Sequence, residues 1–385
     1  MAQPRMSLPP LSLYVHIPWC IRKCPYCDFN SHAAPEQLPE AAYVDALLED
    51  LDAELPLAAG RPLQSIFIGG GTPSLFSAAA IDRLLQGIRQ RIALVADAEI
   101  TLEANPGTFE RARFEGYHAA GINRLSIGVQ SFNAEHLQRL GRVHNPDDAL
   151  RAADAAVAIF PRVNLDLMHG LPGQSVEQAL SDLKQALDFD PGHLSWYQLT
   201  IEPNTEFHAR PPQLPVDESL WDIQEQGQAL LDTRGYAQYE ISAYARPEQQ
   251  ARHNLNYWQF GDYLGIGAGA HGKISHYDND GQLQILRRHK QRQPKGYFEP
   301  ARRLAGEESI ALDDRGFEFM LNALRLTSGT SVDLFKTRTG VTVSTLEPVL
   351  NRARQMGLLV DDRSLLAPTP QGRLFLNDLL ALFLD

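Results

Sequence analysis

Three cysteines within eight residues limit what this chain can fold into and bind. Cys20, Cys24 and Cys27 are the only cysteines among its 385 residues. Their spacing would place all three on one face of a helix, where small thiols pack well. Pro25 argues against that helix, because a proline in mid-helix removes a backbone hydrogen bond. Three thiolates are also enough to bind three irons of a [4Fe-4S] cluster, which leaves the fourth iron without a protein ligand.

A structural zinc site is the second metal interpretation of these thiols. His16 or His32 could supply a fourth ligand. Zinc sites usually pair their cysteines in two C-x2-C units, and the chain has no second pair. The cluster is therefore the favoured prediction, with zinc as the alternative. Clustered cysteines with none to spare also indicate a reducing compartment, so the sequence predicts a cytoplasmic protein.

The C-x3-C-x2-C spacing, followed by an aromatic-rich turn, resembles the radical S-adenosylmethionine (SAM) superfamily. The string from Tyr14 to Phe29, YVHIPWCIRKCPYCDF, resembles the oxygen-independent coproporphyrinogen III oxidase family and, within it, the heme chaperone branch. The resemblance runs from about Tyr14 to the C-terminus. It implies that the three cysteines hold a [4Fe-4S] cluster and that SAM binds the open iron, where one-electron cleavage yields a 5′-deoxyadenosyl radical.

Apolar strands alternate with helices through the first half of the chain. The strands are predicted at residues 12–18, 65–68, 99–105, 124–130, 162–168 and 193–200. This alternation predicts a parallel sheet with right-handed crossovers. Six units are too few for an eight-stranded barrel, so we expect an α/β protein with a partial (β/α)6 barrel, the fold that the resemblance implies. The polar and glycine-rich motifs follow the strands, whose C-terminal ends face the active site in such folds.

Three segments are expected along the chain. Residues 1–245 would form the radical SAM barrel, residues 246–300 a connector with an HNxxYW-like motif that is polar and basic over residues 276–300, and residues 301–385 a small helical, winged-helix-like domain. The net charge of −12 disfavours nucleic acid as a partner, so that last domain is expected to be a scaffold or docking surface. No run of 18 apolar residues could span a membrane, and the N-terminus lacks the apolar core of a signal peptide.

The resemblance implies SAM contacts at the ends of the second and third strands. Gly70, Gly71 and Thr72 would line the methionine moiety, since glycines let a backbone approach a ligand closely. A plain tight turn is the alternative for the glycines. Glu103 would accept hydrogen bonds from ribose hydroxyls or from the ammonium group of SAM.

Five further residues match the family's contacts around SAM and the cluster. Gln130, Arg142 and Asp166 match polar contacts, and Tyr14 and Tyr26 flank the cluster. A structural ion pair is the alternative for Asp166, because a buried carboxylate is costly unless it is paired or hydrogen-bonded. Ordinary packing is the alternative for the two tyrosines.

Two departures separate the chain from the decarboxylating enzymes of the family. Those enzymes resemble C-x3-C-x2-C-x-C, with a fourth cysteine where this chain has Phe29. They also carry a long segment before the cluster, whereas only thirteen residues precede Tyr14 here. Both departures favour a heme chaperone, and decarboxylation of coproporphyrinogen to protoporphyrinogen is kept as the alternative. Whether the protein is an enzyme is left open.

Residues 253–258, HNLNYW, resemble the HNxxYW motif of the chaperone branch. His253 is a candidate ligand for heme iron, and Tyr257 and Trp258 could cover a porphyrin. A capping or surface histidine and core aromatics are the alternatives, and His271 is a second candidate ligand. The resemblance implies heme transfer to acceptor proteins such as respiratory enzymes, an electron donor, and peripheral contact with a membrane.

Overall fold

The computed structural model describes residues 7–107 and 110–384. The strands are β1 (Leu11–Ile17), β2 (Trp19–Cys20), β3 (His32–Ala33), β4 (Leu63–Gly70), β5 (Leu94–Ala104), β6 (Arg124–Gln130), β7 (Arg162–His169), β8 (Gly192–Gln198), β9 (Ala237–Glu240), β10 (Ala243–Ala245), β11 (Asp262–Ile266), β12 (His271–Tyr277), β13 (Leu283–Lys290), β14 (Leu304–Ser309), β15 (Thr330–Ser331) and β16 (Leu365–Leu366).

The helices alternate with the first strands and then collect near the C-terminus. They are α1 (Glu40–Ala58), α2 (Ala78–Arg91), α3 (Glu110–Ala120), α4 (Ala134–Arg139), α5 (Pro146–Ile159), α6 (Val176–Asp188), α7 (Glu206–Ala209), α8 (Asp217–Thr233), α9 (Arg252–Trp258), α10 (Pro294–Tyr297), α11 (Arg315–Ala323), α12 (Val332–Thr339), α13 (Glu347–Gln355), α14 (Pro370–Leu374) and α15 (Leu376–Ala381).

One large sheet organises the described chain, in the order β14-β13-β12-β11-β1-β4-β5-β6-β7-β8-β10-β9. The strands from β11 through β8 are parallel to one another, and β1, β4, β5, β6, β7 and β8 are joined through helices. The sheet has edges at β9 and β14 and does not close on itself. The predicted α/β fold with a partial (β/α)6 barrel is confirmed, and β11 adds a parallel strand that the sequence analysis does not contain.

Local sequence signals explain where the barrel helices begin. The Ser175 hydroxyl accepts from the Gln178 N–H, and the Gln178 side chain accepts from the Ser175 N–H, so α6 begins with a capping box. Asn145 and Asp148 form a second capping box at α5. Buried apolar residues of β1, α1, β4 and α2 belong to one continuous core, which holds each helix against the sheet.

Residues 246–300, expected to be a polar connector, instead contain α9, α10 and the strands β11 to β13. Buried charges hold these strands in the sheet. Asp262 bonds to Arg61 (2.7 Å) and Lys273 (2.9 Å), and Lys290 bonds to Asp50 and Glu54 on α1 (both 2.6 Å). These charged side chains suggest an exposed segment when the sequence is read alone, but in the fold they are nearly inaccessible to solvent. The segment boundaries at 245 and 300 stay a prediction.

The C-terminal residues form a small helical unit with a short antiparallel pair, β15 and β16, as expected for a winged-helix-like domain. Phe319 of α11 and Phe335 of α12 meet edge to face at its centre, with ring centroids 5.1 Å apart. We name the segment around strands β11 to β14 the sheet extension. Phe260 and Ile285 of this extension belong to the same core. The unit is therefore packed directly on the extension of the sheet.

Two expectations fall partly outside the described residues. The helix expected around residues 109–120 begins as α3 at Glu110, and residue 109 lies outside the described ranges. Residues 1–5, where the sequence lacks the apolar core of a signal peptide, also lie outside the described ranges. Within the described ranges, none of the helices has the length and apolar character needed to cross a membrane.

Candidate functional site

The cysteine loop begins where β1 ends. Between β2 and β3 the backbone forms turns and no helix, so the interpretation of the three thiols as one helical face is wrong. Two backbone hydrogen bonds fasten the loop to the segment after β4: Gly71 N–H donates to Ile17 O at 2.8 Å and Thr72 N–H to Trp19 O at 2.7 Å. The Trp19 ring packs on Tyr43 beneath the loop, at 4.7 Å.

The three thiols are free and half-buried. The Thr72 hydroxyl lies 3.6 Å from Cys20 Sγ, and Arg142 Nη1 lies 3.7 Å from Cys24 Sγ. Burial raises the pKa of the Cys20 and Cys27 thiols, although the hydrogen bond from Thr72 to Cys20 opposes the shift there. Nearby donors and a cation are the environment that thiolates bound to a metal cluster require.

The glycines after β4 bring backbone close to the thiols. A Cβ added at Gly71 would lie 2.6 Å from Trp19 O and 3.0 Å from Cys20 Sγ, so only glycine fits there. Gly70 has φ +117°, which L side chains rarely adopt. Its N–H donates to Glu103 Oε2 at 3.1 Å. The loop is therefore more than a plain turn, because its backbone bonds to a buried carboxylate beside the cysteines.

Acidic side chains line the barrel interior beyond this loop. Burial and the nearby Asp166 raise the pKa of Glu103 to about 8, and the Gly70 N–H opposes that shift. Burial also raises the pKa of Asp166, which accepts from Ser126 (3.2 Å) and Asn164 (2.8 Å). Asp166 thus has hydrogen-bond partners, but within the described residues it forms no ion pair with a cation, unlike the structural ion pair considered as its alternative.

Two more predicted residues complete the wall. Gln130 closes β6 with φ +67°, a conformation that is uncommon outside glycine and often marks a functional position. Its Oε1 accepts from the Tyr197 hydroxyl at 3.1 Å. Arg142 Nη2 donates to Asn105 Oδ1 (2.6 Å) and to Gly128 O (2.7 Å), so its guanidinium is fixed between the strand ends and the cysteine loop.

A single cavity of about 750 Å³ brings most of the predicted site residues together. Thr200 also lines this cavity. The predicted residues that line it are Cys20, Cys24, Cys27, Tyr26, Gly70, Gly71, Thr72, Glu103, Gln130, Arg142 and Asp166. Whether each of them binds SAM or the cluster stays a prediction.

Tyr14 and His253 do not line this cavity. The Tyr14 hydroxyl bonds to His16 Nδ1 at 2.9 Å, inside the barrel. His253 is 2% exposed, and its two ring nitrogens bond to the Ser65 hydroxyl (3.1 Å) and the Tyr257 hydroxyl (2.7 Å). Burial, followed by the charge of Arg124, lowers its pKa to about 3. The position of His253 therefore does not support it as an accessible ligand for heme iron.

Comparison with known proteins identifies the family. Residues 14–186 match the model of the radical SAM superfamily, and residues 310–375 match that of the HemN C-terminal domain. The heme chaperone HemW of Escherichia coli (strain K12) is 54% identical over 98% of this chain and 99% of its own length. The chain belongs to the HemW family.

Other relatives agree with membership of the HemW family. The heme chaperone HemW of Haemophilus influenzae is 52% identical, again over 98% of this chain and 99% of the relative. Among solved structures, the coproporphyrinogen III oxidase HemN of Escherichia coli, a radical SAM enzyme, matches with a TM-score of 0.81 and 27% identity, covering 99% of this chain and 91% of the other. The resemblance inferred from the cysteine motif is confirmed.

Radical SAM proteins, and with them the HemW family, have a [4Fe-4S] cluster and SAM as cofactors. The described residues fit these groups, because three free thiols face one cavity beside a glycine cradle. Within residues 7–107 and 110–384, no three His, Cys, Asp or Glu side chains converge on one metal ion. Thiolates that each bind a different iron need no such convergence. Both ring nitrogens of His16 are hydrogen-bonded, one to the Tyr14 hydroxyl and one to Asn30 O, which argues against His16 as the fourth ligand of the zinc alternative.

The far wall of the cavity contains residues that the sequence analysis missed. Asn254 follows His253 in the HNLNYW string, which is the one local signal that could have found it. Glu240, Ser242 and Arg325 have no such signal. Arg325 comes from the C-terminal unit, lies 4.3 Å above the Trp258 ring and bonds to Glu240 Oε2 at 3.3 Å.

Proposed function

We propose that this chain is a heme chaperone of the radical SAM type, which binds a [4Fe-4S] cluster and SAM in the barrel cavity and delivers heme to acceptor proteins. The observation that carries the proposal is the 54% identity over nearly the full chain to a relative named heme chaperone HemW. Coproporphyrinogen III oxidase shares the fold at half that identity. Phe29, at the position of the oxidases' fourth cysteine, is 60% exposed.

The carboxyl groups at the cavity wall support SAM as its ligand. SAM has a sulfonium and an ammonium group, and Glu103 and Asp166 place two carboxyl groups at the cavity wall. When bound, the cluster and SAM supply one-electron chemistry. In this proposal Cys20, Cys24 and Cys27 hold the cluster, and Glu103 accepts a hydrogen bond from SAM.

Rigid support of these groups is the second part of the SAM proposal. Gly71 admits the backbone beside Cys20, where a side chain has no space. Arg142 joins the cysteine loop to the ends of β5 and β6 through its bonds to Asn105 and Gly128. Preorganised donors of this kind lower the cost of ordering a ligand on binding.

Delivery of heme also requires partners. Following the resemblance, we propose acceptors among heme-containing respiratory enzymes, a separate electron donor for the cluster, and no nucleic acid. The net charge of −12 is consistent with the last point, since phosphate backbones attract basic surfaces. A cytoplasmic location with peripheral membrane contact stays a prediction.

The test is an anaerobic comparison of two ligands on the cluster-loaded protein. Hemin titration should give a saturable change in the Soret band, and incubation with coproporphyrinogen III, SAM and a reductant should give no protoporphyrinogen. Clear conversion of coproporphyrinogen would refute the proposed chaperone function in favour of the oxidase alternative. The oxidase itself serves as the positive control for the turnover assay.

A further inference from the structure

Two histidines and a glycine form a row across β12, β13 and β14, which we name the imidazole row: His271, His289 and Gly306. In the antiparallel register His271 is opposite His289, and His289 is opposite Gly306. The two imidazole rings are stacked, with centroids 5.7 Å apart and planes 24° apart. Both histidines are exposed. The row is thus a solvent-facing surface next to the edge of the sheet.

Gly306 keeps this surface flat. A Cβ at Gly306 would collide with the ring of His289. The absence of a side chain at this place on the edge strand therefore leaves the His289 imidazole packed directly over backbone. A planar ligand could lie over the row at this point, because Gly306 itself has no side chain to meet it.

The imidazoles of the row are available as ligands. Among the described residues, neither ring makes a hydrogen bond, in contrast to His253, whose two nitrogens are both engaged. Burial, His289, Arg287 and Arg292 lower the pKa of His271. A neutral imidazole is the form that binds metal.

Two arginines lie beside the row. Arg287 precedes His289 by two residues on β13, and it pairs with Glu318. Arg292 follows β13 and is exposed, and within the described part of the chain its side chain makes one hydrogen bond, 3.4 Å from Nε to Asn30 Oδ1. A planar guanidinium can form paired hydrogen bonds with a carboxylate. Arg292 is therefore the arginine that is free to bind an acidic group of a ligand on the row.

The row is also joined to the cysteine loop. Asn30 Nδ2 donates to Arg292 O and to Ala268 O, both at 2.9 Å, and the His32 ring bonds to Arg292 O at 3.0 Å. Asn30 lies three residues after Cys27. The loop that would hold the cluster thus directly supports the backbone of Arg292 and of the turn that leads into His271.

We propose that the imidazole row is the heme-binding site, with His271 as the iron ligand and Arg292 as the partner of a heme propionate. The inference rests on the proposed function and names the site at which the cargo is held. Heme combines the groups that the row would recognise: a flat ring, an iron that takes imidazole, and two carboxylates. An exposed site at a sheet edge suits a carrier, because the cargo must pass to another protein without the carrier unfolding.

The test is hemin titration of full-length, cluster-loaded protein and its variants, followed in the Soret region. His271→Ala and His271→Gln should each weaken hemin binding about tenfold and remove the spectrum of imidazole-ligated iron. Metal-free protoporphyrin IX needs no iron ligand, so its binding should change less than twofold. His253→Ala should retain the hemin spectrum of the wild type.

Arg292 is tested with a modified ligand. Arg292→Ala should weaken hemin binding but leave the binding of hemin dimethyl ester unchanged, because the ester has no propionate charge. SAM binding and the melting temperature are the controls for an intact fold.

Wild-type hemin binding in both His271 variants, or its loss in an intact His253→Ala protein, would overturn the placement of heme on the row. If the wild type binds no hemin under any condition, the chaperone function itself is refuted, and the two failures are thereby distinguished.

Discussion

Glu103 offers the most quantitative test of the proposed SAM site. In the structure without ligand, burial and Asp166 raise its pKa to about 8, despite the Gly70 N–H. At pH 7 about nine tenths of these carboxyls are therefore protonated. A SAM cation beside Glu103 favours the ionised carboxylate, so that binding of SAM must release this proton.

The size of the effect follows from that pKa. At pH 7, SAM binding should release about 0.9 proton more from the wild type than from Glu103→Gln. Removing the proton costs about 1.4 kcal/mol for each unit that the pH lies below the pKa. Raising the pH from 7 to 9 should therefore strengthen SAM binding by the wild type about tenfold more than binding by Glu103→Gln. The amino group of SAM titrates equally in both, so the difference isolates Glu103.

The assay is anaerobic isothermal titration calorimetry of the cluster-loaded proteins in two buffers that differ in ionisation enthalpy. The difference in heat between the buffers gives the number of protons released. Glu202→Gln is the matched control, because Glu202 lies on the cavity rim, bonded to Thr200 at 2.9 Å, and should behave as the wild type. Equal proton release by the wild type and Glu103→Gln would refute the contact between SAM and Glu103.

Three further changes test the cluster loop and the sheet extension. Cys20→Ser should abolish most of the about four irons per chain expected in anaerobic wild-type protein, and stoichiometric zinc in the wild type would refute the cluster. Gly71→Ala should lower the iron and sulfide content, because its Cβ would lie 2.6 Å from Trp19 O; full cluster content would contradict the cradle. Asp262→Asn should cost about 3–5 kcal/mol in urea unfolding by leaving Lys273 buried without its partner, and a loss below about 1 kcal/mol would show that the pair is dispensable.

The barrel and most of its site could be predicted because their signals are local. Each parallel strand is a short apolar run, and the motifs that follow the strands meet at one end of the sheet whatever the details of packing. Glu103 and Asp166 are about sixty residues apart in sequence, yet both line the same cavity for this reason. The prediction needed only the strand order of an α/β fold.

The sheet extension could not be predicted in the same way. Lys273 and Lys290 are buried on their strands; Lys273 is stabilised by Asp262 on the neighbouring strand β11, and Lys290 by Asp50 and Glu54 on the distant helix α1. In sequence these lysines are typical of an exposed connector. Arg325 reaches the cavity from the C-terminal unit for an equally non-local reason. His253 is a different case, since a motif marked it as a ligand and the fold engages both its ring nitrogens in hydrogen bonds, so its role in binding heme stays a prediction.

The central claim is that the chain carries heme and does not convert coproporphyrinogen to protoporphyrinogen. Heme transfer tests this claim most directly. Cluster-loaded protein charged with one hemin is mixed anaerobically with an apo heme protein of distinct Soret spectrum, and a parallel sample receives coproporphyrinogen III with SAM and reductant. The account predicts that hemin moves to the acceptor and that no protoporphyrinogen forms. Retention of hemin together with turnover of coproporphyrinogen would contradict it.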